Sequence, residues 1–304
     1  MFPSSIRQDV YALLNRDTKH EADPELATKY SMSIGANLAK ATQYRGDPRD
    51  PYKLWASDLG KDCMRKHYFN LHEDHEPDPL SGPTTFKFLY GNIIEDAALY
   101  LVEEAGHKVD HLQRRVEESF VMDDGHFVLV SGRIDAEIDG FLVDVKSSST
   151  YGFKEVMSSN GLTKGTDKFG YLWQLSFYHH FSDIAYDGAG FLWVDRDRGE
   201  IYWDNATTNL YTKEEVEQRV KDVYKAIHSK TVPERDKKFN PVPQSGTSPN
   251  MKLCTNCSYC DYKVSCWKDA NGGTGLRKFV YSNGPVWLTD VTKVPNVYEE
   301  IVNA

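Results

Sequence analysis

The stretch Gly132-Arg133-Ile134-Asp135-Ala136-Glu137-Ile138-Asp139-Gly140-Phe141-Leu142-Val143-Asp144-Val145-Lys146 constrains the chain more than any other. Asp139-Gly140 is a favoured two-residue type I′ loop, since both positions tolerate positive φ. Apolar and polar residues alternate on either side of it, as in strands with one buried face. The loop also sets a register. Ile138 should face Phe141, Asp135 should face Asp144, and Arg133 should face Lys146. Arg133, Asp135, Glu137, Asp144 and Lys146 would then share one side of the hairpin. Ile134, Ala136, Ile138, Val143 and Val145 would share the other and pack on a core.

Opposed carboxylates repel and cost a sheet stability. A divalent cation between Asp135 and Asp144 removes that cost, and Mg²⁺ commonly uses one or two carboxylates together with substrate phosphates. Lys146, on the same face, would send its ammonium into the same place. Such a set suits metal-assisted hydrolysis of a phosphodiester. The bland alternative is a charged, solvated sheet face with no chemistry.

Around this hairpin the pattern is mixed. Asp23-Pro24-Glu25 begins a capped amphipathic helix through Ala41, after a shorter helical stretch around Val10, Leu13 and Leu14. Arg45 to Pro51 reads as a linker. Ser57-Asp58 could cap a helix carrying Cys63, Arg65, His67 and Tyr68, and another helix runs from about Thr85 to Glu104. From Val109 to Ser149 a period of two, cut by Asp123-Asp124-Gly125 and Asp139-Gly140, predicts an antiparallel meander. A helix at Tyr171–Phe181, short strands at Phe191–Val194 and Ile201–Trp203, and a capping-box helix from Thr212 to about His228 follow. The fold class expected is α/β, and a length of 304 residues suggests roughly two domains.

The net charge of −9 argues against a passive DNA coat, which must neutralise phosphates, but not against an enzyme with a local basic patch. Basic clusters stand at Lys61–His67, Arg114-Arg115 and Lys237-Lys238, with aromatics at Tyr171, Trp173 and Phe177. No run approaches the ~18 apolar residues of a membrane span. No signal peptide is readable at the start, so an intracellular, cytoplasmic protein is expected. No phosphate-binding loop of an ATP-driven motor is present.

Five cysteines occur, Cys63 far upstream and Cys254, Cys257, Cys260 and Cys266 close together. An odd number, so clustered, fits a metal or cluster site in a reducing compartment better than a disulfide framework. Two quartets are possible. One is local and begins at Cys254; the other replaces Cys254 with Cys63. Spacing leaves zinc and an iron–sulfur cluster both open.

Taken in order, Glu95, Gly132-x-x-Asp135, Asp144-x-Lys146 and Gln174-x-x-x-Tyr178 resemble the PD-(D/E)xK nuclease superfamily, and more narrowly its RecB-like branch, over roughly residues 57–267. The cysteine layout is similar to iron–sulfur members of that branch, including AddB-type nuclease subunits and the CRISPR-associated exonuclease. The resemblance implies a restriction-endonuclease-like core, a central mixed sheet flanked by helices, with an N-terminal helical extension. Its divisions would be an extension at 1–55, a nuclease core at 56–267 and a C-terminal appendage at 268–304. It implies that Glu95, Asp135, Asp144 and the backbone carbonyl of Val145 ligate Mg²⁺ or Mn²⁺. Lys146 would be catalytic, and Gln174 and Tyr178 would touch DNA or brace the site. Cys63, Cys257, Cys260 and Cys266 would hold a [4Fe–4S] cluster, with zinc as the alternative. The sequence departs from the branch at Ile94, where a histidine commonly precedes the glutamate. The implied function is a metal-dependent DNA exonuclease working on single strands or ends in recombination, repair or viral DNA processing, beside recombination or replication proteins. A sequence- or structure-specific endonuclease and an inactive metal-stapled nucleic-acid-binding protein are the rivals.

Overall fold

The computed structural model describes residues 3–16, 19–43, 50–72, 82–282, 284–297 and 299–301. Most of the linker expected at Arg45–Pro51 lies outside them. In chain order the elements are α1 (Ile6–Leu14), α2 (Pro24–Ala41), β1 (Lys53–Trp55), α3 (Met64–Leu71), α4 (Gly82–Glu104), β2 (Val109–Asp110), β3 (Arg115–Val121), β4 (Phe127–Arg133), β5 (Ala136–Ile138) and β6 (Phe141–Ser148). Then come α5 (Thr150–Ser158), α6 (Tyr171–Phe181), β7 (Gly188–Asp195), β8 (Ile201–Asn205), α7 (Lys213–Ile227) and β9 (Val242–Pro243). Strands β10 (Met251–Lys252), β11 (Arg277–Tyr281), β12 (Gly284–Asp290) and β13 (Glu299–Ile301) close the series. The fold is mixed α/β, with sheets flanked by helices. Among the described residues no helix is long and apolar enough to cross a membrane.

Packing divides the chain into two compact units, residues 1–62 with 81–221, and residues 63–80 with 222–304. These limits fall elsewhere than residues 55 and 267, where motifs alone would divide it.

The first unit holds two sheets, β1-β4-β3 and β2-β5-β6-β7-β8. The expected meander is divided between them. β3 and β4 pair in one sheet, whereas β5 and β6 pair in the other. The sheets are mixed because β1 runs parallel to β4 and β6 parallel to β7. In β7 every residue from Gly188 to Asp195 is buried, as a strand covered on both faces requires. One core joins Ile6 and Val10 of α1, Leu99 and Val102 of α4, and Ala136, Val143, Val145 and Leu192 of the sheet. Asp23 caps α2 by accepting from the amides of Glu25 and Leu26. Thr212 and Glu215 form the reciprocal box that starts α7.

The second unit carries the sheet β13-β11-β12-β10-β9. Phe239, Leu253, Trp267, Leu276 and Trp287 form one apolar cluster, and Tyr68, Phe69 and Tyr262 form another. The helix expected from Ser57-Asp58 onward is shorter. Asp58 belongs to a 3₁₀ turn (Ala56–Asp58) and accepts from the Trp55 amide, while α3 begins only at Met64 with Cys63 at its N-cap. The Asp58 carboxylate is engaged by the Trp55 amide and the Lys61 ammonium, and it stands too far before Met64 to cap α3.

Candidate active site and cysteine cluster

The hairpin register is the one its loop demands. Ala136 pairs with Val143, Glu137 with Leu142 and Ile138 with Phe141, and Asp139 and Gly140 have φ of 50° and 86°. The ladder stops there. Asp135 is not a paired strand residue but stands at the joint where the chain leaves β4 for β5. Its Oδ2 accepts a 2.8 Å hydrogen bond from the Val145 amide. The expected pairing of Arg133 with Lys146 does not form. Arg133 pairs instead with Arg115 of β3, because β4 is committed to the three-stranded sheet up to that residue.

Asp144 and Lys146 lie on β6, held between β5 and β7. Asp144 is 3% exposed, which is not the wet face of an ordinary charged hairpin. The Lys146 ammonium meets Asp144 Oδ2 and sits 4.5 Å from the centre of the Tyr171 ring. Burial disfavours that ammonium, but Asp144 and Asp135 more than offset it and hold the lysine charged. Glu95 reaches the same group from α4. Its carboxyl is pushed up to about 7, first by burial, then by the charges of Asp144 and Asp96, with Lys146 opposing. Asp135 is likewise driven well above the usual carboxylate range, by burial and by Asp144 and Glu95. Three acids and one lysine thus share a field in which the negative charge exceeds what the lysine can balance.

Gln174 and Tyr178 project from one face of α6, and the Gln174 side-chain amide donates to the Tyr178 hydroxyl at 3.1 Å. The same oxygen accepts from the Arg133 amide at 3.1 Å. Tyr178 is 2% exposed and therefore braces the end of β4 next to the acids. Gly132 makes room for it: a Cβ there would lie 2.4 Å from the Tyr178 hydroxyl oxygen.

Two neighbours were not readable beforehand. Gln113 donates to Glu95 Oε1 at 2.8 Å from a loop position with φ of 54°, and no pattern marks it. Tyr171 offers its ring to Lys146, a contact set by tertiary packing. Of the expected nucleic-acid aromatics, Phe177 is wholly buried and Trp173 stacks on Tyr211 with centroids 3.5 Å apart. Several expected basic groups are already engaged or covered. Arg114 pairs with Asp183 at 2.5 Å, Lys66 with Asp261 at 3.2 Å, and His67 is 1% exposed.

The five cysteines are free thiols and all lie in the second unit. Cys63, Cys254, Cys257 and Cys266 pack against one apolar cluster, and Cys260 and Cys266 against its neighbour. Burial raises the Cys257 thiol, and so do Cys254, Cys63 and Cys260 beside it. Burial also pushes Cys260 up to about 11, against the pull of Lys66. Cys63 and Cys254 both stand beside Cys257, so packing does not choose between the two quartets.

Among the described residues, no three His, Cys, Asp or Glu side chains are grouped as a ready-made metal cage. The donors nevertheless fit in kind. Half-buried carboxyls of raised pKa suit a hard divalent cation, and clustered thiols suit zinc or iron. Lys146 contacts Asp144, and the Val145 amide donates to Asp135.

No protein-family model matches this sequence, and no curated protein matches it. Among solved structures the chain is similar to the crystal structure of SSO0001, at 14% identity and a TM-score of 0.45, covering 78% of this chain and 95% of that one.

Proposed function

We propose that this chain is a divalent-metal-dependent DNA nuclease of the RecB-like PD-(D/E)xK kind, acting on single strands or DNA ends. One observation carries the reading. Glu95, Asp135 and Asp144 crowd one half-buried place with Lys146, and two of those carboxyls are driven upward by desolvation and by their neighbours' charge. Such crowding costs stability unless a cation relieves it, and it is typical of sites tuned for chemistry.

Glu95, Asp135, Asp144 and the Val145 carbonyl would hold Mg²⁺ or Mn²⁺. Bound there, the ion supplies a water of lowered pKa and offsets charge on the phosphate. Lys146 keeps its proton and presents it to the attacking water or to a phosphate oxygen. Tyr178, tied to the Arg133 amide, keeps Asp135 from drifting two residues further on. The cysteines would hold a [4Fe–4S] cluster, or zinc, within the second unit. Free, clustered thiols favour a reducing interior such as the cytoplasm, and the expected partner is DNA handled alongside recombination or replication proteins.

The test is digestion of end-labelled single- and double-stranded DNA with Mg²⁺ or Mn²⁺, after anaerobic purification. Asp144→Asn and Lys146→Ala should each lower cleavage by at least about a hundredfold while the circular dichroism spectrum is kept. Wild-type turnover in either variant overturns the reading. Nicking of closed circular DNA would mark an endonuclease instead.

A further inference from the structure

The small sheet β1-β4-β3 has a face that the nuclease reading leaves unused. Trp55 pairs in register with Ser131, and Ser131 with Glu117, so the three form a row across the strands. Two positions along, Arg133 lies directly opposite Arg115. Like charges placed opposite each other destabilise a sheet. Glu117 takes up part of that charge, accepting from Arg115 at 3.1 Å and from Ser131 at 2.8 Å. The Arg133 guanidinium makes no ion pair among the described residues. Lys53, whose ammonium lies 5.1 Å from the Trp55 ring centre, adds another cation. Trp55 is 53% exposed, a large apolar surface left in water beside these charges.

Trp55, Arg115, Ser131 and Arg133 line a cleft of about 340 Å³ with Ser57 and Tyr178. Tyr178 connects it to the acids, because its hydroxyl lies within the field of Asp144 and Asp135. Arg133 is two residues from Asp135. A strand whose scissile phosphate lay at the acids would therefore have its neighbouring nucleotides within reach of the cleft.

We infer that this cleft binds single-stranded DNA, with Trp55 stacking on a base and Arg133, aided by Arg115, gripping a flanking phosphate. The inference rests on the nuclease reading and adds the surface that seats its substrate. An aromatic platform beside cations is the general solution for unpaired strands, since every base has a π-face and every nucleotide a charge. A polyanion would also relieve the opposed arginines.

The experiment measures anisotropy of an internally labelled oligothymidine in chelator, where no cleavage occurs, across a series of salt concentrations. Arg133→Ala should weaken binding and make the slope of log affinity against log salt shallower by about 0.7. Trp55→Ala should weaken binding roughly five- to a hundredfold with the slope unchanged, and Trp55→Phe should restore most of the loss. Both positions are exposed, so each variant should melt like wild type. If wild type binds and cleaves while both variants bind as tightly, the cleft is not the seat and the nuclease reading survives. If Trp55→Phe is as poor as Trp55→Ala, stacking is overturned. If wild type neither binds nor cleaves, both readings fall together.

Discussion

Glu95 is where pH enters this molecule. With its folded-state pKa at about 7 and an ordinary value of 4.5, the folded protein keeps a proton between those limits that the unfolded chain has released. Stability of the metal-free protein should therefore fall as pH rises from about 4.5 to 7, and level off above. Asp135 acts in the same direction. Urea midpoints in chelator should drop by the equivalent of about 1–3 kcal/mol between pH 5 and pH 7.5, and Glu95→Gln should shrink that drop. A rise with pH would show that the acids do not repel. At Gly132 the constraint is steric. An added Cβ would meet the Tyr178 hydroxyl oxygen at 2.4 Å, its Cε1 at 2.7 Å and the Ala56 Cβ at 2.9 Å. Gly132→Ala should lower stability by about 2 kcal/mol or more. Tyr178→Phe alone should cost about 1–2 kcal/mol by leaving the Arg133 amide unpaired. The pair should show no rescue in a double-mutant cycle, because the ring carbon remains in the way.

Helix α6 depends on a backbone crossing at its start. Gly170, its N-cap, has φ of 75°, and a Cβ there would lie 2.1 Å from the Gly60 carbonyl oxygen. Gly170→Ala should be severely destabilising, by about 3 kcal/mol or more, and should displace Gln174 and Tyr178 together; thermal melting reads the first and cleavage the second. The extent of α6 was legible from sequence, as were α2 and α7, because their limits are set by local caps and breaks. The hairpin register was legible for the same reason: two loop residues determine it. The switch of sheets between Arg133 and Ala136 was not. Alternation runs unbroken through Ile134 and Asp135, and only the partners change. The parallel pairing of β1 with β4 was hidden because a three-residue strand has no pattern of its own. Asp135 and Asp144 could be read as neighbours from the register, whereas the Gln113 contact to Glu95 depends on a loop that nothing local specifies.

The second unit is assembled from two separated pieces of chain, with most of the first unit between them. Its joints include Lys66 with Asp261, Asn70 accepting from the Tyr262 hydroxyl at 2.9 Å, and Cys63 beside Cys257. A cluster at the cysteines would close a loop of nearly two hundred residues, a large constraint on the unfolded chain. Cys63→Ser should therefore lower the melting temperature of the metal-loaded protein and remove any visible iron–sulfur absorbance, whereas Cys254→Ser should leave the absorbance in place. Absorbance lost only with Cys254→Ser would assign the local quartet. The same architecture has a consequence in time. A ribosome adding roughly 5–20 residues per second makes α3, with Tyr68 and Phe69 on it, about 10–40 seconds before Tyr262 and the later cysteines emerge. Through that interval the first half of the site is a thiol and a pair of aromatic rings waiting for partners. The nascent chain must keep them reduced and unaggregated until its last third arrives.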